Sequence, residues 1–181
     1  MKRTALFLIL FVAIGVFAGA QFLDVRRNLI SQRALIEIQW AELSDAFDQR
    51  AALVASFADL VKKASNAQDR VFIDEANAQA AFAQARAPQA KIEANSQLVN
   101  ALARLYVAAE AHPKLTSSEN YRRLSEEIGY AEGGVAIERR KYNDLLEHYN
   151  AQLQRFPSNV VAAMSGLTRI DAYVRTEQEA R

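Results

Sequence analysis

The side chains that could carry out catalysis or hold a metal ion are few, and their spacing suits neither task. The chain contains two histidines and no cysteine, so a disulfide framework, a thiolate nucleophile and a cysteine zinc site are excluded. His112 and His148 both lack the glutamate of the Glu-x-x-His motif that di-iron helical bundles use, because Ala109 and Leu145 occupy that position. Asp144 and His148 share a helix face, which is more typical of an exposed charged pair than of a metal site. Because phosphate-binding loops, nucleophile elbows and HExxH motifs are absent too, we predict no catalytic, cofactor-binding or metal-binding residues and no enzymatic activity.

Two tyrosine–asparagine pairs form adjacent columns near the carboxyl end, Tyr142-Asn143 and Tyr149-Asn150. They could present an aromatic and amide surface to a partner protein or a glycan. The structural alternative is that the tyrosines bury their rings in a helix seam while the asparagines bridge neighbouring helices. The tyrosines coincide with the apolar stripe of their helix, which favours the structural interpretation. Trp40 also lies on such a stripe and is predicted to belong to the core.

Charge excludes nucleic acid as the expected partner. Lysine and arginine total 22 against 21 acidic residues, a net charge of +1. The short basic runs at 122–123 and 139–141 have acidic neighbours, so they predict solvated, salt-bridged helix faces.

Composition and periodicity predict an all-α fold. The chain is 51% hydrophobic and has only 6 glycines and 3 prolines, too few turn formers for a many-stranded sandwich. A first helix over 24–64 carries apolar residues at steps of three and four, interrupted once by Arg50. Its stripe consists of Ile36, Trp40, Leu43, Phe47, Val54, Phe57 and Val61.

A turn at 65–69 and a break or kink at Pro88 divide the region that follows. The second stripe runs from the break to His112-Pro113 and consists of Ile92, Leu98, Leu102, Leu105 and Ala109. Thr116-x-x-Glu119 predicts a capping box at the start of a third long helix that ends at Phe156-Pro157. Ser158 is predicted to cap a short fourth helix, which Gly166 stops.

The third helix has the most regular stripe, which is typical of a heptad seam. Its positions are Tyr121, Leu124, Ile128, Ala131, Val135, Glu138, Tyr142, Leu145, Tyr149, Gln152 and Phe156. Gly129, Gly133 and Gly134 lie inside this helix, where each costs about 1 kcal/mol relative to alanine. We predict that they permit close approach of a neighbouring helix; the alternative is a flexible break or kink.

Residues 4–23 form a run of twenty uncharged residues between Lys2-Arg3 and Asp24. As a helix this run spans about 30 Å, the thickness of a bilayer core. The alternative is a signal peptide cleaved after Ala20, which Ala18-Gly19-Ala20 would fit. We predict a retained single-pass anchor with the lipid bilayer as its partner. The basic leader favours placing the rest of the chain on the extracytoplasmic side.

Three groups of residues carry a family resemblance. They are Arg27-Asn28, Trp40-Ala41-x-Leu43 and Arg50-x-x-Leu53-Val54, then Ala94-Asn95, Leu102-x-Arg104-Leu105 and Glu110-Ala111-His112-Pro113-x-Leu115, and finally Arg139-x-x-Tyr142-Asn143, Tyr149-Asn150 and Phe156-Pro157. Over residues 22–166 the chain resembles the LemA family. It departs from the family pattern at Ala52, Ala55, Ser56 and Gly133-Gly134, which indicates a divergent member.

The resemblance implies a bacterial envelope protein with an amino-terminal membrane helix, an elongated antiparallel bundle and no catalytic residues. Combined with the residue patterns, it predicts an anchor at 1–23, a bundle of three long helices and a short fourth at 24–174, and a charged tail at 175–181. The predicted function is a structural or protein-interaction module that docks other envelope proteins. A ligand-binding or sensory bundle is the main alternative, and an enzyme with a dispersed carboxylate site is a third.

Overall fold

The computed structural model describes residues 2–65 and 70–172, with side chains from Leu10 onward. Its helices are α1 Lys2–Ala64, α2 Arg70–Gln84, α3 Pro88–Glu110, α4 Pro113–Thr116, α5 Glu119–Gln152 and α6 Ser158–Ser165. The described residues form no β-strand, which confirms the all-α prediction. Of the turn predicted at 65–69, residues 66–69 lie outside the described residues, as does the charged tail predicted at 175–181.

The apolar residues near the amino terminus are helical, because α1 begins at Lys2 and continues without a break to Ala64. Among the residues that the structure describes, no helix combines the length and apolarity needed to cross a membrane. The transmembrane anchor predicted for residues 4–23 is therefore confirmed only in its helical conformation.

The chain divides into two compact units. The first combines Met1–Ile38 with Asp144–Asp171, and the second is built on Gln39–Asn143. Both α1 and α5 contribute residues to each unit.

The core of the second unit is made by the stripes that the sequence predicts. Leu43, Phe47, Val54, Phe57 and Val61 of α1 are all buried. The stripe of α3 is buried throughout, from Ile92 to Ala109. Two aromatic clusters join the helices: the Phe57 ring lies 4.6 Å from Tyr106 and 5.5 Å from Tyr121, and the Trp40 ring lies 5.5 Å from Tyr142. Trp40, which was predicted to belong to the core, packs against these core rings but is itself only half-buried.

The seam predicted for α5 is confirmed in its centre and wrong at its end. Ile128, Val135, Tyr142 and Tyr149 are buried, but Leu146 is fully buried where the prediction gives Leu145, which is only half-buried. Positions three and four residues after Tyr142 both lie on the same side of the helix, and the structure buries the leucine at the second of them. Phe156 lies beyond the last residue of α5 and is 84% exposed, so its assignment to the seam is wrong.

Helix ends differ from the sequence predictions in two places. The Ser118 hydroxyl, not that of Thr116, accepts the Tyr121 backbone N–H at the start of α5. Thr116 belongs to the extra short helix α4, where its hydroxyl donates to the Pro113 carbonyl. Ser158 is already inside α6 and makes no side-chain cap. The predicted break at Pro88 is confirmed, since α2 ends at Gln84 and α3 begins at Pro88.

The prediction that the α5 glycines permit close helix packing within the chain is wrong. A Cβ atom built on Gly129, Gly133 or Gly134 meets nothing within 4 Å outside its own helix backbone. α5 also continues through these residues, so they do not break it. Gly166 does need its glycine, because it ends α6 in the left-handed conformation at φ 67°.

Candidate functional site

The histidines take up structural positions at helix ends. His112 precedes the first turn of α4, and the Nε2 atom of His148 lies 3.0 Å from the Gln152 side-chain nitrogen. Asp144 and His148 are both exposed. Residues 2–65 and 70–172 contain no group of three or more histidine, cysteine, aspartate or glutamate side chains arranged to hold a metal ion.

The basic runs make the salt-bridged faces that the sequence predicts. Arg122 pairs with Glu119 and, at 2.7 Å, with Glu126. Lys141 donates to Glu138 at 2.9 Å. This hydrogen bond is the largest of the effects that hold the pKa of Glu138 below its ordinary value.

The two polar positions of the α5 seam are explained by amide partners on α1. In the second unit, Gln39 donates to the Glu138 carboxylate at 2.6 Å. In the first unit, the Gln32 side-chain amide donates to the Gln152 Oε1 atom at 2.9 Å. Each polar residue therefore gains a hydrogen bond from the facing helix.

The second tyrosine–asparagine pair holds the residues that follow α6. The Asn150 amide donates to the Ile170 carbonyl at 2.8 Å and accepts the Ile170 backbone N–H at 3.0 Å. The Tyr149 hydroxyl donates to the Thr168 carbonyl at 3.2 Å. Both rings of the repeated motif are buried, and burial raises the pKa of the Tyr142 and Tyr149 hydroxyls. These contacts support the structural interpretation of the motif. They also tie down the segment after α6, which no pattern in the sequence predicts.

The core of the second unit contains a buried polar pair that the sequence analysis did not identify. Arg50, the interruption of the α1 stripe, donates through Nη2 to the Asn95 Oδ1 atom on α3. Both residues are buried. A guanidinium is always charged, so its place in the core depends on acceptors such as this amide.

A buried carboxyl group, Glu75 of α2, lies in the same unit. Its Oε1 atom is buried without a hydrogen-bond partner among the described residues. Burial is the main cause of a pKa above the ordinary value of 4.5; Asp59 raises it further, while the Gln79 side chain and Lys62 oppose the shift. Glu75 was missed because a single glutamate in an alanine-rich helix carries no pattern.

We expect Glu75→Gln to stabilise the protein at pH 7.5 by about 1 kcal/mol, because a buried carboxylate with one unpartnered oxygen no longer has to be desolvated. The raised pKa means that the unfolded state ionises first as pH increases. The loss of stability caused by Glu75 therefore develops as pH rises from 4.5 through the pKa of Glu75 in the folded protein. It is absent well below pH 4.5. Urea unfolding of parent and variant, followed by circular dichroism at pH 7.5 and pH 3.5, measures this difference.

The matched control is Glu110→Gln, which changes an exposed carboxylate on α3. We expect it to alter the free energy of unfolding by less than about 0.5 kcal/mol at both pH values. A Glu75→Gln variant that gains the same stability at both pH values would contradict the assignment of the cost to ionisation.

An open cleft of about 400 Å³ lies between α1 and α5 in the second unit. Ala46, Gln49 and Leu53 line it from α1. The α5 side consists of Glu127, Tyr130, Ala131 and Gly134. Tyr130 is 81% exposed, so its ring stands at the edge of the cleft without cover. We call this surface the α1–α5 cleft. The residue of this cleft that stands out in the sequence is Gly134, which was predicted to permit close approach of a neighbouring helix.

Comparison with known proteins gives two findings. The sequence model of the LemA family matches residues 39–181. The chain is also similar to the magnetosome proteins MamQ 1 and MamQ 2 of Paramagnetospirillum magneticum, each 27% identical over 85 residues. The matched residues are 47% of this chain and 31% of each relative, so the chain spans less than a third of the length of these relatives.

Proposed function

This chain belongs to the LemA family, and on that premise we propose that it is a membrane-attached helical module that binds another protein and has no catalytic activity. The attachment is made by the apolar residues 4–23, which cross the bilayer once and leave the helical units on the extracytoplasmic side of a bacterial envelope. The partner is another envelope protein, which places one of its helices in the α1–α5 cleft.

The observation that carries the binding proposal is the free space at the α5 glycines. Glycine inside a helix costs about 1 kcal/mol relative to alanine. Outside the backbone of α5 itself, no atom of the described residues comes within 4 Å of a Cβ built on Gly134. The small residues Ala46 and Ala131 line the same cleft, and so does Tyr130, which is exposed. A shallow groove of this kind suits a partner helix, since small residues allow helix backbones to approach closely and exposed tyrosines are common binding anchors.

The absence of catalysis is supported by how the buried polar groups are used. Arg50 and Asn95 bond to each other, and Asn150 and Tyr149 bond to backbone groups. These side chains hold helices and a segment together.

Attachment to a membrane is supported by the apolar surface of α1. Large apolar residues are exposed on all sides of the helix between Leu10 and Leu23; they are Leu10, Phe11, Val12, Ile14, Val16, Phe17 and Leu23. Soluble proteins rarely expose such continuous apolar surface, so these residues need apolar surroundings. The uncharged run extends back to Thr4, for a total of about 30 Å of helix.

The binding proposal is tested by replacing Tyr130 with the photo-crosslinking residue p-benzoylphenylalanine in the full chain and irradiating native membranes. We expect a discrete adduct with one other protein. Gly134→Leu fills the cleft and should abolish the adduct without lowering the free energy of unfolding, because its Cβ enters open space and leucine favours the helix.

The matched control is Gly129→Leu, which makes the same substitution on α5 outside the cleft and should keep the adduct. An adduct that survives Gly134→Leu, or one of twice the mass of this chain, would overturn binding of a different protein at this cleft.

Membrane attachment is tested by washing membranes with alkaline carbonate. The intact polypeptide should remain in the pellet. Its release into the supernatant would refute attachment through residues 4–23.

A further inference from the structure

The junction between α5 and α6 lies beside α1 where the uncharged run ends. Asp24 and Val25 of α1 share an open cleft of about 370 Å³ with Arg155, Phe156 and Ser158. All of these residues belong to the first unit. The junction is therefore next to the first charged residue after the proposed anchor.

This junction exposes apolar side chains at a spacing of four residues. Phe156 is 84% exposed, Val160 48% and Met164 73%. The other face of α6 is buried through Val161 and Ala162. The short helix is thus apolar on both faces, one buried and one uncovered, which is typical of a segment that contacts another apolar phase.

Three basic residues of the first unit lie next to this apolar patch or near the end of the uncharged run, although the shared cleft also contains the acidic Asp24. Arg26 and Arg27 follow the end of the uncharged run, and Arg155 precedes Phe156; all three are exposed. Basic residues at the edge of a bilayer are attracted to anionic lipid headgroups. Aromatic and basic residues together are typical of the interfacial zone of a membrane.

We infer that residues 155–164 form a second membrane contact, in which Phe156, Val160 and Met164 enter the interfacial region of an anionic bilayer. The inference rests on the proposed attachment through residues 4–23, because that attachment places Asp24 at the membrane surface. The contact holds the carboxyl end of α5 against the bilayer, and Arg155 binds the phosphate groups of the lipids.

The chain has no cysteine, so a nitroxide can be attached to single introduced cysteines in the full chain. The positions are Phe156→Cys and Met164→Cys at the junction, Phe17→Cys in the proposed anchor and Tyr130→Cys as an exposed site in the second unit. The protein is reconstituted in vesicles of phosphatidylcholine with or without phosphatidylglycerol. Relaxation of each label by oxygen, which concentrates in lipid, is compared with relaxation by a water-soluble nickel complex.

At positions 156 and 164 we expect the ratio of relaxation by oxygen to relaxation by the nickel complex to exceed the same ratio at 130 severalfold. This ratio should fall when phosphatidylglycerol is omitted. A high ratio at 17 together with ratios at 156 and 164 equal to that at 130 overturns the second contact and leaves the anchor intact. A low ratio at 17 refutes the anchor itself. Labels at 156 and 164 that are shielded from both reagents indicate a protein contact, which also overturns the inference.

Discussion

Asn95→Leu is expected to lower the free energy of unfolding by about 2–3 kcal/mol. The Asn95 Oδ1 atom accepts a hydrogen bond from the Arg50 guanidinium in the core of the second unit. Leucine has a similar size to asparagine, so the substitution removes the acceptor without opening a large cavity. The positive charge then stays buried with one acceptor fewer, and a buried charge that loses a partner is far more costly than an exposed one.

Urea unfolding monitored by circular dichroism measures this loss. The control Asn100→Leu removes an exposed amide from the same helix and should change stability by less than about 0.5 kcal/mol. The double variant Arg50→Met with Asn95→Leu replaces the pair by apolar side chains and should recover part of the loss. A single variant as stable as the parent would show that other groups satisfy Arg50 and that Asn95 is dispensable.

The sequence could reveal that position 50 is unusual, but it could not reveal why. The steps of three and four residues along α1 place Arg50 on the buried face, since residues with that spacing share one side of a helix. Its partner is 45 residues away on another helix, so the pairing depends on how α1 and α3 pack. Periodicity identifies which face of each helix is buried. It does not identify which residues of two buried faces meet.

Other features of the candidate sites could not be predicted from periodicity either. The sequence shows that glycines inside α5 lower the stability of the helix, but it does not show what compensates for this. The structure shows open space beside them. The residues after Gly166 have no helical periodicity, so nothing local indicated that Asn150 binds the backbone of Ile170. Phe156 follows the seam spacing, yet α5 ends at Gln152 and the ring is exposed. Each of these features depends on where a helix ends or what lies opposite it.

Phe57→Ala is expected to cost about 3–5 kcal/mol, the range for a large aromatic residue removed from a packed core. Phe57 is fully buried, and its ring contacts Tyr106 of α3 and Tyr121 of α5 at centroid distances of 4.6 and 5.5 Å. One side chain thus joins three helices. A typical domain is stable by about 5–15 kcal/mol, so this loss would remove a large share of the total.

The substitution also tests whether the core sets the geometry of the α1–α5 cleft. Leu53 lies one turn before Phe57 on α1, and Glu127 follows Tyr121 on α5, so the ring holds the two helices apart next to the cleft. Phe57→Leu keeps most of the volume and should cost less than about 1.5 kcal/mol while preserving the Tyr130 adduct. Val107→Ala, at an exposed apolar position of α3, should change neither stability nor adduct. If Phe57→Ala loses less than about 1 kcal/mol in urea unfolding, the aromatic cluster does not hold these helices together, and the cleft must owe its shape to other contacts.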